Sequence, residues 1–299
     1  MTSASLVVGY CLQRTHARFG AWSFLVCVVA ATERLAAGVA PVWRMLALIV
    51  VIAYGMKALV GVEARRRGRA PLSKSQWLAF APLWIGMQLQ VFRERRSAPW
   101  PIGLLRQSVA WLLAGAVTIV IAQMLYANLG ADYLGAIAIV FLAGCFMVAH
   151  FGCSGIVAVV LIRLGFGVAP QFRAPWRAQS LTEFWTRRWN VGFSVMTTLT
   201  IYRPLAPKLG RAVAIMLGFL FSGLLHEIVC SVPVGAGYGL PTIYFVSHGC
   251  GVLIEQALAR CGVALRGPLA RVWVYLWVLL PTPLVFHDPF LRGVVLPLL

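Results

Sequence analysis

Seven apolar runs dominate this chain, at 19–31, 41–62, 104–127, 133–162, 213–233, 241–259 and 272–286, and arginines collect in segments between them. A spanning helix needs about 20 predominantly apolar residues, and in lipid each segment must satisfy its own backbone polar groups. Together these constraints predict an all-α, polytopic membrane protein with about seven to nine transmembrane helices plus re-entrant or interfacial ones. Composition agrees: 61% of the 299 residues are hydrophobic and 11% charged, where a soluble domain carries roughly a quarter charged. No polar stretch is long enough for a separate soluble domain, so 1–299 reads as one integral-membrane domain. The first apolar run, 6–12, precedes Arg14 and Arg18 rather than following them, so no cleavable signal peptide is expected.

The net charge of +18 is nearly all arginine, with Lys57, Lys74 and Lys208 the only lysines. The basic residues cluster in short loops between apolar runs, which is the positive-inside pattern rather than a nucleic-acid surface. Loops 63–76, 92–106, 163–190, 203–211 and 260–271 then share the cytoplasmic side. The linkers 128–132 and 234–241, which lack Lys and Arg, fall opposite. Such loops can meet anionic lipid head groups or a phosphorylated co-substrate. The run 77–91 is short and flanked by arginines on both sides, so it is expected to be re-entrant or interfacial, and the run after Asn190 shares the problem. Arginine in place of lysine and high alanine point to a GC-rich bacterial source, hence the cytoplasmic membrane; in a eukaryote the endoplasmic reticulum is expected. Seven dispersed cysteines without CxxC imply no disulfide framework. Cys145, His150 and Cys153 read as packing residues rather than metal ligands.

Two segments carry residues suited to chemistry. In 180–204, Ser180 and Glu183 have capping-box spacing, predicting a helix that starts at Leu181 and stops at Arg203-Pro204. At 100° per residue, Glu183, Arg187, Asn190, Ser194 and Thr197 share one stripe, and Glu183 and Arg187 form an i,i+4 pair. Trp185 and Trp189 lie together on another face. Spacing alone leaves two readings open, a surface amphipathic helix and a polar stripe facing a cavity.

The second segment, 216–235, places His226 and Glu227 inside an apolar run, where ionisable residues are costly and point to function. Gly218, Ser222, His226 and Cys230 are each four apart, so the imidazole projects from a face of small residues. Glu227 lies about 100° round the helix and is expected to pair with an arginine or with backbone groups of a neighbouring helix. Position 230 is cysteine, so HExxH is absent. Ser222 and Ser247 lack a nucleophile elbow. His248 and His287 read as structural, with His287-Asp288 a runner-up site.

SLTEFWTRRWN (180–190) resembles the SLxxFWxRRWN signature of plant-type long-chain-alcohol acyltransferases, the wax synthases. FLFSGLLHEIVCSVP (219–233) resembles the S-G/A-x-x-HE block of membrane-bound O-acyltransferases, which include sterol and diacylglycerol acyltransferases. Thr186 departs from the first signature, which has glycine there. The resemblance implies a multi-helix fold with a tunnel in which His226 and Asn190 face the reaction centre. It implies transfer of a fatty acyl group from acyl-CoA, a co-substrate, to a hydroxyl acceptor, most simply a long-chain alcohol, with no metal or other cofactor. Diacylglycerol, a sterol, a sugar or polymer, or a secondary metabolite are alternative acceptors. Neutral imidazole, with an ordinary pKa near 6.5, suits the general base, and the Asn190 amide an oxyanion or hydroxyl donor. Arg173, Arg177, Arg187 and Arg188 would meet CoA phosphates; Trp185, Trp189, Ser194 and Ser222 would line the substrate site. A reading of another class is a small proton-coupled transporter relaying protons through His226 and Glu227.

Overall fold

The computed structural model describes residues 2–96, 98–263 and 265–299. Among these the fold is entirely helical, apart from one isolated bridge between Arg95 and Phe166. The long elements are α1 (Thr2–Leu12), α2 (Arg18–Leu35), α3 (Pro41–Arg66), the short α4 (Lys74–Phe80), α5 (Ile102–Leu129), α6 (Leu134–Phe146) and α7 (Ser154–Arg163). A broken region follows with α8 (Leu181–Glu183), α9 (Val191–Thr197) and α10 (Arg203–Leu209). The chain then forms α11 (Arg211–His226), α12 (Leu240–Arg260), α13 (Gly267–Leu279) and α14 (Thr282–Val285).

Five helical stretches among the described residues are long and apolar enough to cross a membrane: Pro41–Arg66, Ile102–Leu129, Ala131–Arg163, Arg211–Val234 and Gly267–Val285. This is the mark of an integral membrane protein. Two further apolar runs of the sequence form α2 and α12, which carry Glu33 and Arg34, and His248 and Glu255, within them.

The chain divides into two compact units. The first comprises Ala53–Gln171, Leu291–Leu299 and the N-terminal residues up to Ala21. Its main hairpin closes on glycines: a Cβ on Gly115 of α5 would meet the Gly144 carbonyl oxygen at 2.8 Å, and one on Gly144 would meet Gly115 O at 3.0 Å. Small residues of this kind let membrane helices approach backbone to backbone. The run 77–91 forms no long helix. A Ser73–Gln76 capping box starts α4, which ends after seven residues. The Lys57 ammonium, 1% exposed, then takes up the freed carbonyls, donating to Phe80 O (2.9 Å), Trp84 O (2.6 Å) and Gly86 O (3.1 Å). A buried charge is tolerated only with such partners.

The second unit, Trp22–Ile52 with Phe172–Phe290, is built on the antiparallel pair α11 and α12. Gly223 faces Thr242, and Gly249 faces Met216 and Phe219. Gly223 and Gly249 are therefore the glycines at the contact between the two helices. Gly218, from the row of small residues, borders open space instead: a Cβ added there would meet nothing within 4 Å.

Candidate active site

The chain of 180–204 folds differently from one continuous helix. Ser180 Oγ accepts from the Glu183 amide (2.9 Å), so the helix does start at Leu181. The Glu183 carboxylate reaches back one residue further than a capping box requires, to the Gln179 amide (2.8 Å). The helix then widens into a π segment, Phe184–Arg188. Because π turns bond i to i+5, Glu183 pairs with Arg188 (2.6 Å) rather than with the predicted Arg187. Burial pushes the Glu183 carboxyl up, but the Gln179 amide and the Arg188 guanidinium outweigh it and hold it below the ordinary range.

The helix breaks at Trp189, which is extended, and Asn190, which is left-handed at φ 42°, ψ 58°. Asparagine tolerates this conformation better than most side chains. Arg188 clamps the break: its Nη1 donates to Arg173 O and Ala174 O (both 3.2 Å), and its carbonyl accepts from the Arg173 amide (2.8 Å). Phe172 packs edge-on to Trp189 at 5.1 Å. Asn190 Oδ1 then caps α9 by accepting from the Phe193 amide (3.3 Å), which leaves its two Nδ2 hydrogens for other partners. Ser194 Oγ donates to Trp185 O across the break.

The helix after Asn190 does not stop at Arg203-Pro204. A second π segment, Thr198–Tyr202, leads directly into α10, which ends at Gly210 (φ 84°). Pro204 lies in the first turn of α10, immediately after the π segment.

A distant carboxylate also holds the first turn of this region. Glu255 of α12 accepts from the Leu181 amide (2.6 Å), the Thr182 amide (3.2 Å) and the Trp273 indole (2.9 Å). It thereby satisfies donors that a helix N-terminus leaves open. Nothing near it in sequence announces that role.

His226 is the last α-helical residue of α11, immediately before a third π segment, Glu227–Ser231. Its Nδ1 lies 2.7 Å from Ser222 O. A carbonyl only accepts, so neutral His226 carries its proton on Nδ1 and presents the Nε2 lone pair. The Phe245 ring packs on the imidazole with centroids 4.1 Å apart.

Glu227 turns elsewhere. Its Oε1 accepts from the Gly239 amide (2.9 Å), the Thr242 amide (3.0 Å) and Thr242 Oγ1 (2.9 Å). It supplies the N-cap of α12 that Gly239, lacking a side chain, cannot. Its partners are backbone and hydroxyl groups, not an arginine. We expect Glu227→Ala to destabilise the protein by about 1–2 kcal/mol, the scale of a lost N-cap. Glu227→Gln, which keeps the acceptor oxygen, should lose less. Thermal unfolding of purified protein in one detergent compares them.

Asn190 and His226 both line one cavity of about 380 Å³, within the usual size of a ligand site. Ser194 and Thr197 of the predicted stripe line it, as do Trp185, Trp189, Ser222 and Gly218. Glu183, Arg187, Glu227 and Cys230 are not among the lining residues. From Ala214 to His226 the wall of α11 runs about 18 Å at 1.5 Å per residue, and Phe193, Ile215, Phe219, Phe245 and Val252 make it mainly apolar. The polar-cavity reading of the stripe is the one the geometry favours. Of the four predicted arginines, none reaches the cavity wall: Arg173, Arg177 and Arg187 are exposed, and Arg188 is held by Glu183. Sequence reasoning missed Glu255 and Phe245; the latter is legible only as one aromatic among many.

Two further histidines of the second unit are held by hydrogen bonds. His248, 0% exposed, places Nδ1 2.7 Å from Tyr244 O. His287 Nδ1 accepts from the Phe290 amide (3.2 Å), so its Nε2 carries the proton toward Ser231 Oγ (3.3 Å) and offers that hydroxyl no base. Among the described residues no group of three or more His, Cys, Asp or Glu is placed to hold a metal ion.

The segment holding this cavity has known counterparts. Residues 168–246 match the membrane bound O-acyl transferase family. That stretch contains both Asn190 and His226. The chain is 33% identical over 112 residues to the probable long-chain-alcohol O-fatty-acyltransferase 1 of Arabidopsis thaliana, covering 34% of this chain and 33% of that protein. It is 35% identical over 106 residues to the long-chain-alcohol O-fatty-acyltransferase of Simmondsia chinensis (32% and 30%). An acyl-CoA–sterol O-acyltransferase 1 of Arabidopsis thaliana is 36% identical over 67 residues (20% and 19%). The chain thus spans about a third of the length of the long-chain-alcohol relatives it matches.

Proposed function

We propose that this protein is a membrane-embedded O-acyltransferase that moves a fatty acyl group from acyl-CoA to the hydroxyl of a long-chain alcohol. The observation that carries the proposal is the shared cavity of Asn190 and His226, with the Nε2 lone pair of His226 left bare by the bond from Nδ1 to Ser222 O. In this reading the alcohol oxygen attacks the thioester carbonyl carbon while His226 Nε2 takes the hydroxyl proton. The Asn190 Nδ2 hydrogens stabilise the oxyanion of the tetrahedral intermediate. Collapse breaks the C–S bond, and the imidazolium returns its proton to the departing CoA sulfur. Proton and electron pairs balance, giving an ester and free CoA with the base regenerated.

The apolar length of the cavity suits alkyl chains, and the activities named for the matched relatives, long-chain-alcohol and sterol acylation, support this acceptor class. In this reading the exposed Arg173, Arg177 and Arg187 meet the CoA phosphates outside the cavity. We further propose that α2 and α12 cross the bilayer with the five apolar stretches, giving seven spans in the cytoplasmic membrane of a bacterial cell. The proton-relay reading is not favoured, because Glu227 caps α12 and does not line the cavity.

Membranes containing the protein, supplied with labelled acyl-CoA and separate long-chain alcohol, diacylglycerol, sterol and sugar acceptors, test the assignment. Labelled wax ester is the expected product; glyceride or steryl ester instead would change the acceptor, and no labelled product in any arm would remove the enzyme reading. Cavity shape supplies another expectation. Gly218 borders the cavity with free space around it, so Gly218→Leu should fold normally yet shift preference toward shorter chains. The ratio of kcat/KM for long over short substrates should fall roughly ten-fold, the effect of one or two misplaced methylenes.

A further inference from the structure

The first unit holds a second cavity, of about 470 Å³, formed where 90–96 and Ala98 meet 162–168. The Arg96 amide donates to Gly165 O (2.9 Å), and Arg95 bridges Phe166 in antiparallel register. Gly165 has φ 89°, and a Cβ there would meet Arg96 O at 2.9 Å, so the close approach requires glycine. The floor is apolar, with Val91, Ile162, Phe166 and Val168; the rim carries Gln90, Glu94 and Arg96.

Its position and charge are specific. Arg163 is the last residue of the apolar stretch Ala131–Arg163, and its guanidinium lies 5.6 Å from the ring of Trp100. Trp100, 53% exposed, stands just before the stretch Ile102–Leu129. An exposed tryptophan and arginines at the ends of apolar spans mark the bilayer interface. Between 65 and 106 the chain has nine basic residues and one acid, Glu94, which pairs with Arg96 at 3.0 Å. Arg95 lies over Phe166 at 4.8 Å. Arg93 has a buried Nε without a hydrogen-bond partner. Burial, and then the neighbouring charge of Arg69, lower its pKa. This surplus of positive charge above an apolar floor matches an anion that carries a hydrocarbon tail.

We propose that this groove binds an anionic phospholipid, with the phosphate at Arg95 and Arg96 and an acyl chain along Val91, Ile162 and Phe166. The site belongs to the first unit, takes no part in the reaction of Asn190 and His226, and stands or falls without any turnover. Basic pockets beside membrane helices recognise anionic head groups in this way.

The test measures lipid binding to the purified full-length protein in neutral detergent, by displacement of a fluorescent phosphatidylglycerol. Phosphatidylglycerol is expected to bind at least ten-fold tighter than phosphatidylcholine. Arg95→Gln/Arg96→Gln, both exposed positions, should erase that preference, while the control Arg266→Gln/Arg271→Gln should keep it. Glycerol 3-phosphate, the head group without a tail, should compete at least ten-fold more weakly than the lipid. Equal affinity for the two lipids overturns the proposal without any variant. So does an equal loss in the control pair, which would mean diffuse charge attraction, or full competition by glycerol 3-phosphate, which would mean a simple anion site.

Discussion

His226→Ala is expected to lower kcat for acyl transfer by about 10²–10⁴-fold, the usual contribution of a general base, while the protein still folds and inserts. At 1.36 kcal/mol per decade this is about 3–5 kcal/mol of transition-state stabilisation. The size follows from the tautomer: with Nδ1 bound to Ser222 O, Nε2 is the only ring atom left to take a proton. Alanine removes it and leaves the acceptor hydroxyl with no comparable base. His226 lies at the junction of α11 with a π segment and is only half-buried, so stability should change little. Initial rates of ester formation, normalised to folded protein by size-exclusion, measure the loss. An alanine variant within about three-fold of wild type would remove His226 from the chemistry.

Asn190→Asp should lower kcat by about 10²-fold, the scale of a lost oxyanion donor, with thermal stability close to wild type. Aspartate keeps both structural duties of Asn190: it tolerates the left-handed conformation and can still accept from the Phe193 amide. What it lacks is the pair of Nδ2 hydrogens, and it sets a negative charge where negative charge would develop. Asn190→Ala is a poorer probe, since it also sacrifices the α9 cap and adds backbone strain. A loss confined to KM in the aspartate variant would assign Asn190 to binding alone. A large fall in melting temperature would show that the amide, not only the oxygen, holds the break.

Much of this site is legible in the sequence, and the exceptions have physical causes. The Ser180 cap and the start at Leu181 follow from local hydrogen bonding, and the four-residue spacing from Gly218 to His226 puts them on one wall. The break at Asn190 is not local: it depends on Arg188 holding the carbonyls of Arg173 and Ala174. Each π segment shifts the angular register of the residues beyond it, so a helical wheel at 100° per residue pairs Glu183 with the wrong arginine. Cys230, within the π segment Glu227–Ser231, does not line the cavity with His226. Glu255 lies 74 residues from the amide it caps, and no spacing rule reaches that far. The apolar runs announce long helices, whereas α4 is stopped by Lys57 reaching three carbonyls from another helix.

In the proposed mechanism His226 and Asn190 act on one reacting centre in one cavity. A double-mutant cycle on ester formation from labelled acyl-CoA and a long-chain alcohol, with wild type, His226→Ala, Asn190→Asp and the pair, tests it most directly. Residues that serve one transition state lose activity non-additively, so the double variant should be no more than about ten-fold slower than His226→Ala alone. Losses that multiply in full, or an His226→Ala protein that still makes ester at the wild-type rate, would contradict the account.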